Sequence, residues 1–320
     1  MAFTAEAWQD PIAAIELDLR QRRLLFEQFG DLGLGEADPQ PRPTAGGEYG
    51  HRFMAAFWGC QVVYPPDGAP CEVSLPDARQ RMENLEIPDI DSSPVVQLAL
   101  RNAALLKERY GQPDSAINFG GPLNNAVSVF GGEFLSACAS QPELARRVLQ
   151  KMGEAVILIH DQVACRIRGI EVAAARAGRW GIGNCPVCML SPRMYQEIVL
   201  PVDIWFRRQF AGEFNLHHCG VFDAYRDAYQ ALSPEELDLG PRSDLRLARQ
   251  AYPRAHISAY IDIPTLARMR PEEIDALLVK MVEDAAPLEL IDYIRVAEAG
   301  PEISDEKVRY IMTAPERLGK

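Results

Sequence analysis

From residue 116 onward the chain alternates short β-branched or apolar runs with longer stretches of helical period, and this alternation narrows the folds open to it. Residues 116–119 read as a short buried strand, followed by the Gly-Gly-Pro-Leu turn and a helical stretch through Ala126, Val129, Phe134 and Leu135. Gln141-Pro142-Glu143 opens a helix over residues 144–177, with Val148, Met152, Val156, Ile159 and Val163 on its apolar stripe. Further strands are expected at 179–182, 214–217, 237–239, 256–260 and 288–294. Between them lie a helix opened by Ser191-Pro192, helices over 222–232 and 244–252, helices running through Ala267 and over 274–285, and a last one over 304–318. Short connections between alternating strands and helices are the mark of parallel βα units. This many units favour a closed (βα)8 TIM barrel of the α/β class over an open doubly wound sheet. No Gly-x-Gly-x-x-Gly follows a strand, which weakens a dinucleotide-binding alternative.

The first part of the chain is less regular. Residues 4–29 carry Ile12, Ile15, Leu17, Leu19, Leu24, Leu25 and Phe29 at roughly helical spacing, and the Gly- and Pro-rich residues 30–50 that follow have no period and read as a long loop. A short helix over 51–58, a hairpin around Pro-Pro-Asp-Gly-Ala-Pro within 59–73, and a helix over 93–110 complete the approach. With 320 residues, 48% of them hydrophobic, the chain can bury one large core. The expectation is a single domain over 1–320, with 1–50 as helix and irregular loop and 51–320 as barrel. A formal charge of -12 disfavours nucleic acid and anionic membranes as partners. The opening residues lack the basic start and apolar centre of a secretory signal, no apolar run is long enough to span a bilayer, and a cytoplasmic protein is expected. Seven cysteines, an odd number scattered through a long chain, fit reduced thiols used for packing, ligation or catalysis.

In a βα barrel chemistry sits at the carboxyl ends of the strands. Residues 214–225, FNLHHCGVFDAY, place His217, His218, Cys219 and Gly220 at such an end. Alternation along a strand turns His217 and Cys219 to one side and His218 to the other. Nitrogen and sulfur donors together suit zinc better than magnesium or calcium. The plainer alternative makes Cys219 a small apolar filler and His217 a partner for a backbone carbonyl. Cys185 and Cys188 form a C-x-x-C just after a strand; no second such motif exists, and the pair is read as lining a substrate pocket. Asn118 and Asn124 flank the Gly-Gly-Pro-Leu turn, where they either meet substrate or shape the turn. Tyr260, Asp262 and Arg242 fall at the same rim; Asp262 either orients a ligand histidine or binds substrate, or caps the helix that follows. His160 falls within a helix and reads as structural, as do Cys60 and Cys71 beside the hairpin.

Four blocks, residues 120–152, 181–207, 216–225 and 256–262, occur in an order and spacing that resemble the uroporphyrinogen decarboxylase superfamily, from about residue 116 to the end and more loosely from His51. The resemblance implies a (βα)8 barrel and either of two activities, decarboxylation or zinc-dependent methyl transfer with corrinoid proteins. The decarboxylases carry an N-terminal Met-Arg-Gln-Ala-Gly-Arg block whose arginines hold propionate carboxylates. Nothing like it occurs here, and buried carboxylates need paired charge. The methyltransferase branch is marked by His-x-Cys with a second cysteine far downstream. His217-x-Cys219, followed by Gly220, matches the first half, but no cysteine occurs after Cys219. Glu298 falls at or near the late position, and a carboxylate is an acceptable zinc ligand.

The resemblance therefore implies His217, Cys219 and Glu298 as catalytic metal ligands with an open fourth position, one cysteine of the C-x-x-C being the alternative third ligand. The implied function is a zinc-dependent methyltransferase moving a methyl group between a methyl ether, amine or thiol and a corrinoid (methylcobalamin) carried on a corrinoid-binding partner protein. A carboxylate in place of a thiolate makes the metal more electrophilic and favours an oxygen substrate. Asn118, Asn124, Cys185, Cys188, Tyr260 and Asp262 are the expected substrate-binding residues, and a homodimer is compatible with the reading. The alternatives are a decarboxylase-like lyase acting on a smaller substrate and a non-catalytic, tetrapyrrole-binding barrel.

Overall fold

A computed structural model describes residues 5–65, 68–296 and 302–319. The N-terminal stretch read as one helix is two, Ala5–Gln9 and Pro11–Phe29, because Asp10 turns extended and its carboxylate caps the second by accepting from Ile12 N at 2.8 Å. Thr44–Ala45, inside the stretch read as loop, is strand β1. Gln61–Val63 (β2) and Cys71–Val73 (β3) form the expected antiparallel hairpin. Asp114–Ser115 (β4) runs parallel to β1.

The strand expected over 116–119 ends early. Ala116 N still donates to Ala45 O at 2.8 Å, but the Asn118 side chain then accepts from Gly120 N at 3.0 Å and Gly120 takes φ +59. A side-chain turn has replaced the ladder. Pro122–Phe130 follows as helix, with proline at its first position.

The remaining strands form one parallel ladder in sequence order: β5 (Trp180–Gly183), β6 (Phe214–His218), β7 (Glu236–Leu239), β8 (His256–Ile261) and β9 (Ile291–Val296). Its register aligns Gly183 with His217, His217 with Asp238, and Asp238 with Ser258. The segment after β4 lies against β5, since a Cβ on Gly121 would stand 2.7 Å from the Gly183 carbonyl oxygen. With helices between successive strands this is a TIM-barrel α/β fold, extended by N-terminal helices and a hairpin.

Alternation along β6 sorts its residues between the two sides of the wall. Phe214, Leu216 and His218 are buried, with the Arg207 guanidinium over the Phe214 ring and Phe222, Tyr225 and Tyr229 around His218. Asn215 and His217 face the other side. The long helix Pro142–Ile159 buries Leu149, Met152, Val156 and Ile159 completely. It continues through a π-helical turn to Arg168 and stops where Gly169 enters the left-handed region at φ +65, short of the expected end at 177. Among the described residues no helix is long and apolar enough to cross a membrane.

Where β7 ends the backbone passes very close to its neighbour: a Cβ on Gly240 would lie 1.9 Å from the Cys219 carbonyl oxygen. Gly240→Ala is therefore expected to destabilise the chain by about 1–3 kcal/mol or more, as overpacking does. Gly132→Ala, at a helix start with open space around its Cβ position, should be neutral to stabilising by up to about 1 kcal/mol. Chemical denaturation of the two variants checks the contrast.

Candidate metal centre

The register of β5 and β6 brings the two cysteine-bearing segments together. Asn184 N donates to His217 O at 2.9 Å, carrying the ladder one residue past β5, and a turn over Cys185–Met189 begins there. Asn124 accepts from Cys185 N at 3.1 Å and pins that turn from the other side. Its carboxamide fits because Gly183 has no side chain; a Cβ there would approach Asn124 Nδ2 to 3.1 Å. Cys185 thus joins His217 and Cys219, whose expected convergence is also present. His217 Nε2 lies 2.9 Å from Cys219 Sγ, and Cys219 Sγ lies 3.0 Å from Cys185 Sγ. One donor atom from each residue falls within 4.8 Å of the other two.

A buried network holds the turn. Asn184 is fully buried and donates through Nδ2 to Asp203 at 3.0 Å, while Tyr195 OH donates to the same Asp203 oxygen at 2.9 Å. Burial drives the Asp203 carboxyl up to about 7, partly opposed by those two hydrogen bonds. His218, turned away from the cluster as expected, bonds to Tyr229 OH at 3.1 Å and is pushed down to about 4, chiefly by burial.

On the far side of His217, Nδ1 lies 2.9 Å from Asp238 Oδ2, which also accepts from Tyr260 OH at 2.6 Å. Arg295 reaches Tyr260 OH at 2.6 Å and stacks over the Tyr260 and Tyr293 rings. Burial alone would lower the His217 imidazole; the Asp238 bond and the neighbouring Cys185 sulfur outweigh it and lift the ring to about 9. Burial works on Asp238 in the opposite sense, yet the bonds from His217 and Tyr260 leave it below the usual carboxylate range. The two sulfurs share one proton: the Cys219 thiol, donating to Cys185, draws Cys185 down, and Cys219 is pushed up in turn.

Two other expected site residues, Asn118 and Asp262, make their bonds elsewhere. Asn118 bonds to His51 Nδ1 at 2.7 Å and to its own turn. Asp262 caps the helix Ile263–Arg268 by accepting from Thr265 N at 3.0 Å, and the acid bonded to His217 Nδ1 is Asp238. Asp262 lines a cavity of about 230 Å³ outside the cluster together with Tyr260, Arg242 and Lys280. Cys188 is exposed, its thiol donating to Cys185 O at 3.3 Å. His160 is buried among Phe119, Trp180 and Phe210, as a structural residue should be. Glu298 lies outside the described residues. Sequence reasoning missed Asp238, Arg295 and Asp203. Asp238 did carry a signal, an acid in the middle of the otherwise apolar Leu237-Asp238-Leu239 at a strand's carboxyl end.

The donor set suits zinc. Two sulfurs and an imidazole nitrogen are ligands this ion prefers, and the three donors found among the described residues would leave a position open for substrate. Zn–S bonds of about 2.3 Å at a tetrahedral angle set two sulfurs roughly 3.8 Å apart. The pair at 3.0 Å would have to open by less than an ångström, which the exposed Cys219 and half-buried Cys185 permit.

A TIM barrel with imidazole and thiol donors at the carboxyl ends of its strands defines the class of protein: a barrel of the kind whose rim does chemistry. The particular family is shown by sequence. The Uroporphyrinogen decarboxylase (URO-D) profile matches residues 51–291, and the chain belongs to that family. No curated protein matches it. Among solved structures it is similar to a methyltransferase from Methanosarcina mazei, with TM-score 0.65 and 17% sequence identity, covering 98% of this chain and 88% of that one. That likeness is one of fold.

The Asp203 network makes a pH prediction. The folded chain retains a proton up to about pH 7 that the unfolded chain releases near 4. Its contribution is complete below pH 4 and is lost as pH rises through 7. Asp203→Asn keeps an acceptor for Asn184 and Tyr195 without that titration. The stability of the natural chain minus that of the variant should therefore fall between pH 4 and 7, by at most roughly 1.4 kcal/mol per unit. Denaturation midpoints across that range check it; a pH-independent difference would contradict it.

Proposed function

We propose that this protein is a zinc-dependent methyltransferase that moves a methyl group between a small substrate and a corrinoid carried on a partner protein. The observation that supports this most strongly is the meeting of His217 Nε2, Cys219 Sγ and Cys185 Sγ at the carboxyl ends of β5 and β6. On this reading His217, Cys219 and Cys185 are the ligands, and Cys185 takes the role that sequence comparison left between Glu298 and the C-x-x-C. Zinc supplies Lewis acidity, which lowers the pKa of a substrate thiol or polarises an ether oxygen.

The residues around the centre have separate tasks. Asn124 and the buried Asn184 hold the Cys185 turn against β6, and Asp238 holds the imidazole. Met189 and Val221, adjacent in sequence to Cys188 and Gly220, are exposed, and this apolar surface suits a flat macrocycle. At equal charge a thiolate is a softer and stronger donor to zinc than a carboxylate. A second thiolate makes the site less electrophilic than one with a carboxylate and shifts the expected substrate from an ether toward a thiol. This reverses the preference drawn from Glu298.

Metal analysis of the purified chain tests the centre, with one zinc per chain expected. His217→Ala, Cys219→Ser and Cys185→Ser should each lose most of it. Incubation with cob(I)alamin and a panel of methyl ethers, amines and thiols, and with methylcobalamin and free thiols, tests the reaction through the corrinoid spectrum. The expected result is a spectral change with a thiol or thioether that Cys185→Ser abolishes. Carbon dioxide release from a carboxylated substrate would instead favour the lyase. A metal-free protein that still binds porphyrin would favour the tetrapyrrole-binding barrel.

A further inference from the structure

Behind His217 stands a closed arrangement of hydrogen bonds with a single consistent set of protons. Asp238 Oδ2 is 2.9 Å from His217 Nδ1 and 2.6 Å from Tyr260 OH, and Tyr260 OH is 3.0 Å from His217 Nδ1. Arg295 Nη2 lies 2.6 Å from the Tyr260 oxygen and 3.5 Å from Asp238 Oδ2. Guanidinium can only donate and carboxylate can only accept. Arg295 therefore donates to the Tyr260 oxygen, and the Tyr260 hydroxyl proton points to Asp238. Were Tyr260 to donate to a bare His217 Nδ1 instead, two contacts under 3 Å would set lone pair against lone pair. Only a proton on Nδ1 satisfies every contact.

The strands enforce this geometry. His217 and Asp238 are register partners on β6 and β7, and Tyr260 and Arg295 are register partners on β8 and β9. Four neighbouring strands thus contribute one residue each. Stacking over Tyr260 at 4.4 Å and Tyr293 at 4.8 Å fixes the plane of the Arg295 guanidinium.

We propose that Asp238, Tyr260 and Arg295 are positioning residues that lock His217 as the Nδ1-protonated tautomer and aim its Nε2 lone pair at the space beside Cys219 and Cys185. This deepens the metal-binding reading and rests on it. A carboxylate behind a ligand histidine orients the ring and raises its basicity, and loss of such a partner costs about 10–100-fold in metal affinity.

Two measurements on the full chain test the proposal. The first is the imidazole nitrogen spectrum of protein carrying ¹⁵N-histidine, taken metal-free over a pH series that reaches the neutral ring, and again with one equivalent of zinc. With five histidines in the chain the signals are few enough to assign by the loss of one in His217→Ala. The Nδ1–H tautomer is expected in both states. The second is competition for zinc against a chromophoric chelator, in which Asp238→Ala should bind about 10–100-fold more weakly. Tyr260→Phe keeps the ring and removes only the hydroxyl, so it should fold normally and bind a few-fold more weakly while Asp238 holds the proton on Nδ1. Asp238→Asn, which can turn either an oxygen or an NH2 group toward Nδ1, should bind more weakly and show a mixture of tautomers. Should Asp238→Ala fail to fold, the near-isosteric Asp238→Asn still decides. A metal-free His217 protonated on Nε2, or an Asp238→Asn chain with natural affinity and tautomer, overturns the proposal. Absence of zinc binding by the natural chain, with the Nδ1–H tautomer intact, overturns the metal reading and leaves the positioning geometry standing.

Discussion

The alignment of Gly183, His217 and Asp238 across three adjacent parallel strands is the constraint on which the site depends. Parallel pairing sets these residues side by side at the carboxyl ends, and each has a task that its neighbours make possible. Gly183 leaves room for Asn124, Asn124 holds the Cys185 backbone, His217 faces the sulfurs, and Asp238 braces the ring from behind. A one-residue slip of β6 would exchange His217 for His218 and bury the wrong imidazole. The apolar partners of Phe214 and Leu216, both essentially fully buried, oppose that slip.

Polar groups carry the precision that apolar burial cannot. Asp203, fully buried in the helix Leu200–Arg207, ties Asn184 and Tyr195 together immediately beside the Cys185 turn. A buried acid is costly unless its partners are in place, so the turn and the helix are specified together. Tyr225 adds to this by donating to Val187 O at 3.0 Å and Leu190 O at 2.6 Å at the end of the same turn. The loop bearing the two cysteines is therefore fastened at both ends, although Cys188 and Met189 stand exposed.

Much of this was legible from local pattern. The i, i+2 parity of His217 and Cys219 follows from strand geometry and is realised, as is the outward turn of His218. Barrel class followed from alternation, and the caps at Ser191 and Asp262 from turn chemistry. What local pattern does not contain is register between strands. For that reason local pattern marks Cys185 first as pocket lining and offers Asp262, rather than the actual partner Asp238, as the acid beside the histidine. Two-residue strands are equally invisible: Thr44–Ala45 sits among glycines and prolines, and only the distant Asp114–Ser115 makes it a strand. Helix ends shifted where one residue decided, as at Asp10 and Gly169.

The decisive measurement is zinc K-edge X-ray absorption on the natural chain loaded with one equivalent of zinc. Ligation by His217, Cys219 and Cys185 predicts two sulfur neighbours at about 2.3 Å and one imidazole, with a light atom in the fourth position. A single sulfur among oxygen neighbours, the signature of a carboxylate in place of Cys185, would contradict it.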